Sequence, residues 1–179
     1  MTTAVTTPTD EQNRLQLLRS YGILDTASEE EFDDITRAAS LVCGTPIATI
    51  TLVDESRQWF KSRVGLDSQQ SPREFSFCAQ AMEHPEPFIV PNAEKDPRFS
   101  HNPLVTGDPN IRFYCGMPLR SEGMGLGTLC VIDRSPRTLT PEQMQILKIK
   151  VLSEAVLSRL QLRRALHLIE DLRSTRSIG

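Results

Sequence analysis

Two segments limit what this chain can fold into more than any other feature: residues 108–119 (Asp-Pro-Asn-Ile-Arg-Phe-Tyr-Cys-Gly-Met-Pro-Leu) and residues 125–133 (Gly-Leu-Gly-Thr-Leu-Cys-Val-Ile-Asp). Each reads as a β-strand, and the glycine-bearing stretch between them, residues 120–124, reads as a hairpin turn. Residues 47–53 are nearly all apolar or β-branched, the pattern of a central strand covered on both faces. Asp54, Glu55 and Ser56 form a tight turn. Residues 58–64 return as an amphipathic strand, with Phe60 and Val64 on one face and Lys61 and Arg63 on the other. Between this pair and the hairpin, residues 65–110 are mostly irregular and hold seven of the twelve prolines, the last of them Pro109 just at the end, with one short helix expected at 77–82 and one short strand at 88–90. An irregular region this long inside a compact domain is usually functional. An apolar hairpin roofed by such loops suggests a platform for a small ligand.

Helices flank the strands. Residues 1–9 are expected to be disordered, and a short helix follows at 10–20, with Leu15 and Leu18 on one face. A second helix is signalled by Ser28 and Glu31 at capping-box spacing and by Ala27 and Phe32 at the staple positions. Phe32, Ile35, Ala39 and Val42 then recur at helical spacing, and Gly44 and Pro46 end it. The last helix begins with Thr140 and Gln143 as a capping box, Pro141 at the first helical position, and Leu139 and Met144 as the staple. No Gly or Pro interrupts it before about Arg173, a length of roughly 50 Å, more than a domain this size is wide. Leu147, Val151 and Ala155 are expected to pack on the sheet. Farther on, Leu162, Ala165, Ile169 and Leu172 follow an a/d rhythm suited to a parallel dimer helix.

The 179 residues suffice for one domain with a sizeable core, and a net charge of −3 does not favour nucleic acid or an anionic membrane. No apolar run approaches the roughly 20 residues that span a bilayer, and the polar N-terminus lacks the basic and apolar regions of a signal peptide, so a cytoplasmic protein is expected. Cys43, Cys78, Cys115 and Cys130 form no Cys-x-x-Cys pair and read as buried reduced thiols.

Catalytic signatures are absent. His84, His101 and His167 lie in no metal-ligand pattern, and neither a Gly-x-Ser-x-Gly elbow nor a phosphate-binding Gly-x-x-x-x-Gly-Lys loop occurs. Residues 123–127 are glycine-rich but precede a strand, whereas a dinucleotide loop must open a helix. The expectation is that the protein is not an enzyme.

Together with residues 46–60, the hairpin segments resemble a GAF domain of the kind found in bacterial sensor kinases and nucleotide cyclases, over about residues 14–160. The resemblance implies an α+β fold: a central antiparallel sheet of five to six strands, with the N-terminal helices and the long C-terminal helix on one face and loops and short helices on the other. It implies a domain over residues 10–160, with 161–179 as a helical extension or signalling linker. It places a ligand pocket on one sheet face, under the 75–82 helix and the 92–110 segment. The residues expected to bind are Phe75, Phe77, Cys78, Asp96, Phe99, Asn102, Val105, Arg112, Phe113, Cys115, Met117 and Thr128, with Arg73, Arg98, Leu104, Thr106 and Tyr114 also near. Phe113, Cys115 and Met117 share one strand face, which fits core packing as well as a pocket.

The cofactor is left unknown. Bilin attachment in the family uses a cysteine after the third strand, and residues 91–111 hold none. The Asn-Lys-x-x-x-Phe-x-x-x-Asp-Glu pattern of nucleotide-binding members is absent. The expected role is a sensor module for a small molecule, homodimeric through its C-terminal helix and coupled to a histidine kinase or cyclase output domain. Two alternatives stay open: a free methionine-R-sulfoxide reductase using Cys78 and Cys115, and a dimerisation module with no ligand.

Overall fold

The computed structural model describes residues 8–142 and 146–176. Helices α1 (Pro8–Ser20) and α2 (Glu30–Cys43) lead into strands β1 (Ile47–Val53), β2 (Arg57–Val64) and β3 (Gln70–Pro72). A 3-10 turn at Arg73–Phe75 precedes α3 (Phe77–Ala81) and β4 (Phe88–Val90). The one-turn helix α4 (Pro103–Thr106), the hairpin β5 (Phe113–Ser121) and β6 (Met124–Asp133), and the long α5 (Ile146–Arg176) complete the chain. The strands form one antiparallel sheet in the order β3-β2-β1-β6-β5-β4. The fold is therefore the expected α+β arrangement with six strands.

Two apolar layers cover the sheet. On one face, α1, α2 and α5 bury Leu18, Tyr21, Phe32, Ile35, Val156 and Leu160 against Ile50, Leu52, Trp59, Leu129 and Val131. On the other, α3 and the loops bury Phe77, Met82, Phe99 and Val105 against Ile47, Val53, Tyr114, Cys130 and Ile132. All seven residues of β1 are buried, as its unbroken apolar run predicts. Among the described residues no helix is long and apolar enough to cross a membrane.

Several local expectations need correction. Helix α1 takes in Pro8 and Thr9, which the sequence placed in a disordered segment; residues 1–7 lie outside the described residues. The N-cap of α2 is Glu29, not Ser28, and it makes no capping hydrogen bond, because its carboxylate is drawn to Lys61 and Arg163. Cys43 rather than Val42 completes the buried face of α2. In β2, a bulge opposite Ile50 and Thr51 makes Lys61 the extra residue. Its side chain turns under the start of α2 and is fully buried instead of solvated.

Helix α5 meets the sheet layer through Leu152, Val156 and Leu160, while Val151 is exposed. The expected stripe was thus rotated by about one residue, with Ala155 at its edge. Gln143 and Met144 lie outside the described residues, as does the side chain of Leu147. Contacts with the body continue past residue 160. Arg163 donates to the carbonyl of Gly22 (3.1 Å) and to Glu29 (2.9 Å), and Arg164 pairs with Glu122 and lies over the Tyr21 ring.

The first helix is clamped to the sheet by charge. Buried Arg14 donates to the Val53 carbonyl (2.8 Å) and to Glu11, and Glu11 also accepts from Arg73 (2.6 Å). Hydrogen bonds from Arg14, together with those from Arg73, outweigh burial and hold the Glu11 carboxyl down at about 2.

Candidate functional site

The face of the sheet opposite α2 and α5 carries the candidate site. Helix α3 is fixed there by a polar chain. Ser76 caps the helix by accepting from the Ala79 amide (2.9 Å), and its hydroxyl donates to Gln58 Oε1 (2.6 Å). The Gln58 amide nitrogen donates in turn to Ser71 (2.6 Å). These bonds tie α3 to β2 and β3.

Over β5 the space is filled. Phe77 stacks on Phe99 with ring centroids 4.0 Å apart and leans on Tyr114 at 5.2 Å. The Tyr114 phenol lies across Gly116, where a Cβ would come within 2.3 Å of its oxygen. Every residue in this cluster is essentially inaccessible. The ligand platform expected along β5 is therefore packed by the chain's own aromatics.

An open cavity of about 200 Å³ remains beside this cluster, over β1 and β2, between residues 65–71 and 104–111. Thr49, Gln58 and Phe60 form its sheet side, and Phe77, Cys78 and Tyr114 its inner wall. Exposed Asp67, Asp108 and Arg134 stand at the rim. Behind Cys78, Thr49 and Thr51 share a hydrogen bond (2.7 Å), and Thr49 also contacts the Cys130 sulfur (3.0 Å). Burial pushes the Tyr114 phenol well up.

Of the residues expected to bind, Phe77 and Cys78 line this cavity. Phe99, Val105 and Thr128 lie in the packed layer beside it. The polar roof candidates serve the roof itself. Asn102 caps α4 by accepting from the Leu104 amide and donates to the Phe75 carbonyl (2.9 Å). Asp96 accepts from the backbone and side chain of Arg98, and Arg112 donates to the Val105 carbonyl (2.8 Å). Arg73 binds Glu11, and Thr106 donates to Asn102. Leu104 and Tyr114, named as neighbours of the site, do line it.

Phe113, Cys115 and Met117 are corrected outright: they belong to the opposite layer, under the helices. Strand alternation put them together correctly but on the wrong side, and Tyr114 is the β5 residue that faces the cavity. Cys78 and Cys115 consequently stand on opposite faces of the sheet, which breaks the thiol pairing of the reductase alternative. Thr49, Gln58, Asp108 and Arg134 were missed. A signal for the first existed: Thr49 and Thr51 are the polar pair in an otherwise apolar strand, spaced so that both point one way.

The model of the GAF domain family matches residues 28–156. This chain belongs to the GAF domain family. It is 41% identical over 165 residues to a cyclic di-GMP phosphodiesterase of Pseudomonas aeruginosa, a match that covers 92% of the chain and 28% of the relative. Among solved structures it is similar to the GAF domain of an Acinetobacter phosphoenolpyruvate-protein phosphotransferase, with a TM-score of 0.62, 17% identity, and coverage of 87% of this chain and 95% of that one. It is also similar to the free methionine-R-sulfoxide reductase of Neisseria meningitidis, with a TM-score of 0.61, 15% identity, and coverage of 86% and 93%. At those identities the likeness of the GAF domain to both structures is one of fold.

The expectation that the protein is not an enzyme is corrected by the match to the Pseudomonas relative, which is named a phosphodiesterase, an enzyme. The chain spans 28% of the length of that phosphodiesterase.

Proposed function

We propose that this GAF domain is the sensory module of a cytoplasmic signalling protein whose output is cyclic di-GMP hydrolysis, rather than the kinase or cyclase output expected at first. The support for the output is the similarity to a protein of that name across nearly the whole chain. Four buried cysteines without a disulfide suit a reducing compartment. The observation that carries the sensing role is the open cavity of about 200 Å³. Its mixed wall of hydroxyl, amide, thiol and aromatic groups suits a compact polar molecule. Pockets for drug-sized molecules run roughly 300–1,000 Å³, so the effector is smaller than a cyclic dinucleotide and distinct from the substrate of the output domain.

Thermal-shift screening of small polar metabolites tests this. An effector at about 100 times its Kd stabilises by about 2.7 kcal/mol, which raises Tm by roughly 5–10 °C for a domain of this size. Leu104→Trp fills the cavity from its partly exposed wall and should abolish the shift. A shift that survives this substitution would place the effector elsewhere and overturn the reading.

The end of α5 would carry the signal. Leu162, Leu166 and Ile169 are 61%, 52% and 45% exposed, a seam of apolar side chains along the helix beyond its last sheet contacts. The extension that begins at residue 161 acts in this reading as the linker, and its seam pairs with its copy in a parallel dimer. Leu162→Ser combined with Ile169→Ser should weaken self-association by at least about tenfold, since each removes roughly 1–2 kcal/mol of apolar burial. Sedimentation equilibrium measures this; an unchanged mass would exclude α5 as the dimer seam.

A further inference from the structure

The sulfurs of Cys78 and Cys130 lie 3.9 Å apart, one supplied by α3 and the other by β6. The two differ in access. Cys78 forms part of the cavity wall, whereas Cys130 is buried behind it and does not line the cavity. Polar groups surround the pair: Tyr114 Oη donates to Cys78 Sγ (3.4 Å), and Thr49 Oγ1 is 3.0 Å from Cys130 Sγ. Thr128 lies 3.4 Å from the Tyr114 oxygen, and Thr51 is hydrogen-bonded to Thr49. Burial opposes ionisation of Cys78, but hydrogen bonds from Cys130, Thr128, Tyr114 and Thr51 outweigh it and lower its pKa. The Cys130 thiol, hydrogen-bonded to Cys78 and buried, is pushed well up.

We propose that Cys78 and Cys130 are a peroxide-oxidisable pair, in which Cys78 is attacked through the cavity and Cys130 then closes a disulfide that ties α3 to β6. The Cys78 thiolate attacks one oxygen of hydrogen peroxide. The O–O bond breaks, the sulfur is oxidised to a sulfenic acid, the peroxide is reduced, and hydroxide leaves. Cys130 then attacks the sulfenic sulfur. The S–S bond forms, the S–O bond breaks, and the departing hydroxide takes the Cys130 proton and leaves as water. The sulfurs close from 3.9 Å to about 2.05 Å. Cys43 and Cys115 serve as an internal contrast. They lie in the opposite layer, away from the cavity, and burial pushes both thiols up, Cys115 to about 12. The inference goes beyond the sensing role and does not require that the cavity hold an effector.

The test is exposure of the reduced native protein to hydrogen peroxide, followed by denaturation, alkylation and mass spectrometry. Free thiols should fall from four to two, with the loss of two hydrogens in mass and a cross-link between the peptides of Cys78 and Cys130. In Cys130→Ser, the sulfenic acid on Cys78 should persist and be captured by dimedone. In Cys78→Ser, the three remaining thiols should stay reduced. Four unmodified thiols in the native protein, under conditions that oxidise the denatured chain, would overturn the proposal. So would a cross-link through Cys43 or Cys115. The cross-link in the unsubstituted protein decides the matter even where a variant fails to fold.

Discussion

Gly127→Ala is expected to destabilise the domain by at least about 3 kcal/mol, a large share of the 5–15 kcal/mol that holds a typical domain together. Gly127 sits in β6 opposite Leu52 of β1, at the centre of the six-stranded sheet. A Cβ there would lie 1.9 Å from the Thr51 carbonyl oxygen and 2.9 Å from the Leu52 Cα. Both obstacles are backbone, so no rotamer change relieves them. The strands would have to part, breaking the ladder that joins the two halves of the sheet. Gly123→Ala is the matched control. Its φ of +79° strains an L-residue, but nothing lies within 4 Å of its Cβ, so the cost should be only about 1 kcal/mol. Urea denaturation of both variants measures the difference. A Gly127→Ala midpoint close to the parent would mean that β1 and β6 do not pair in this register.

Lys61→Met should lose about 3 kcal/mol, far more than a lysine on an amphipathic strand would suggest. The ammonium group is completely buried and donates to Thr26 Oγ1 (2.9 Å), to the Ala27 carbonyl (2.7 Å) and to Glu29. Removing it deprives all three acceptors of a donor at once, although Glu29 keeps Arg163. The methionine stem preserves the packing on Phe32, whose ring centroid lies 5.3 Å from the nitrogen. A double-mutant cycle with Glu29→Gln, read by chemical denaturation, separates the ion pair from the two neutral bonds. A loss under about 1 kcal/mol, the range of exposed pairs, would show that Lys61 is solvated and that the bulge is wrongly placed.

Much of this fold was legible from one-dimensional pattern. The 120–124 turn, the wholly buried run of β1 and the proline-rich interval each follow from a local rule, and the structure has the central strand, the hairpin with its first strand starting at Phe113 rather than at residue 108, and an irregular roof interrupted by the unexpected β3. The candidate site was much less legible. Its polar residues come from β1, β2 and the loop ends. Asp108 and Arg134, 26 positions apart, flank the open end of the hairpin and meet through its pairing. No spacing rule links them to Thr49 and Gln58, because only the closed sheet brings β1 and β2 to the same cavity.

The residues themselves determined which segments become strands and helices, and which side chains share a strand face, because the backbone has period 2 in one and 3.6 in the other. Only the tertiary structure decided what each face meets. Phe113, Cys115 and Met117 share a side by alternation, yet α2 and α5 claimed that side, and Tyr114 was left to close the other. The bulge at Lys61 and the rotation of α5 were settled in the same way. Periodicity defines a set of neighbours along one element, whereas burial is a property of two elements in contact, and it is the second that minimises exposed apolar area.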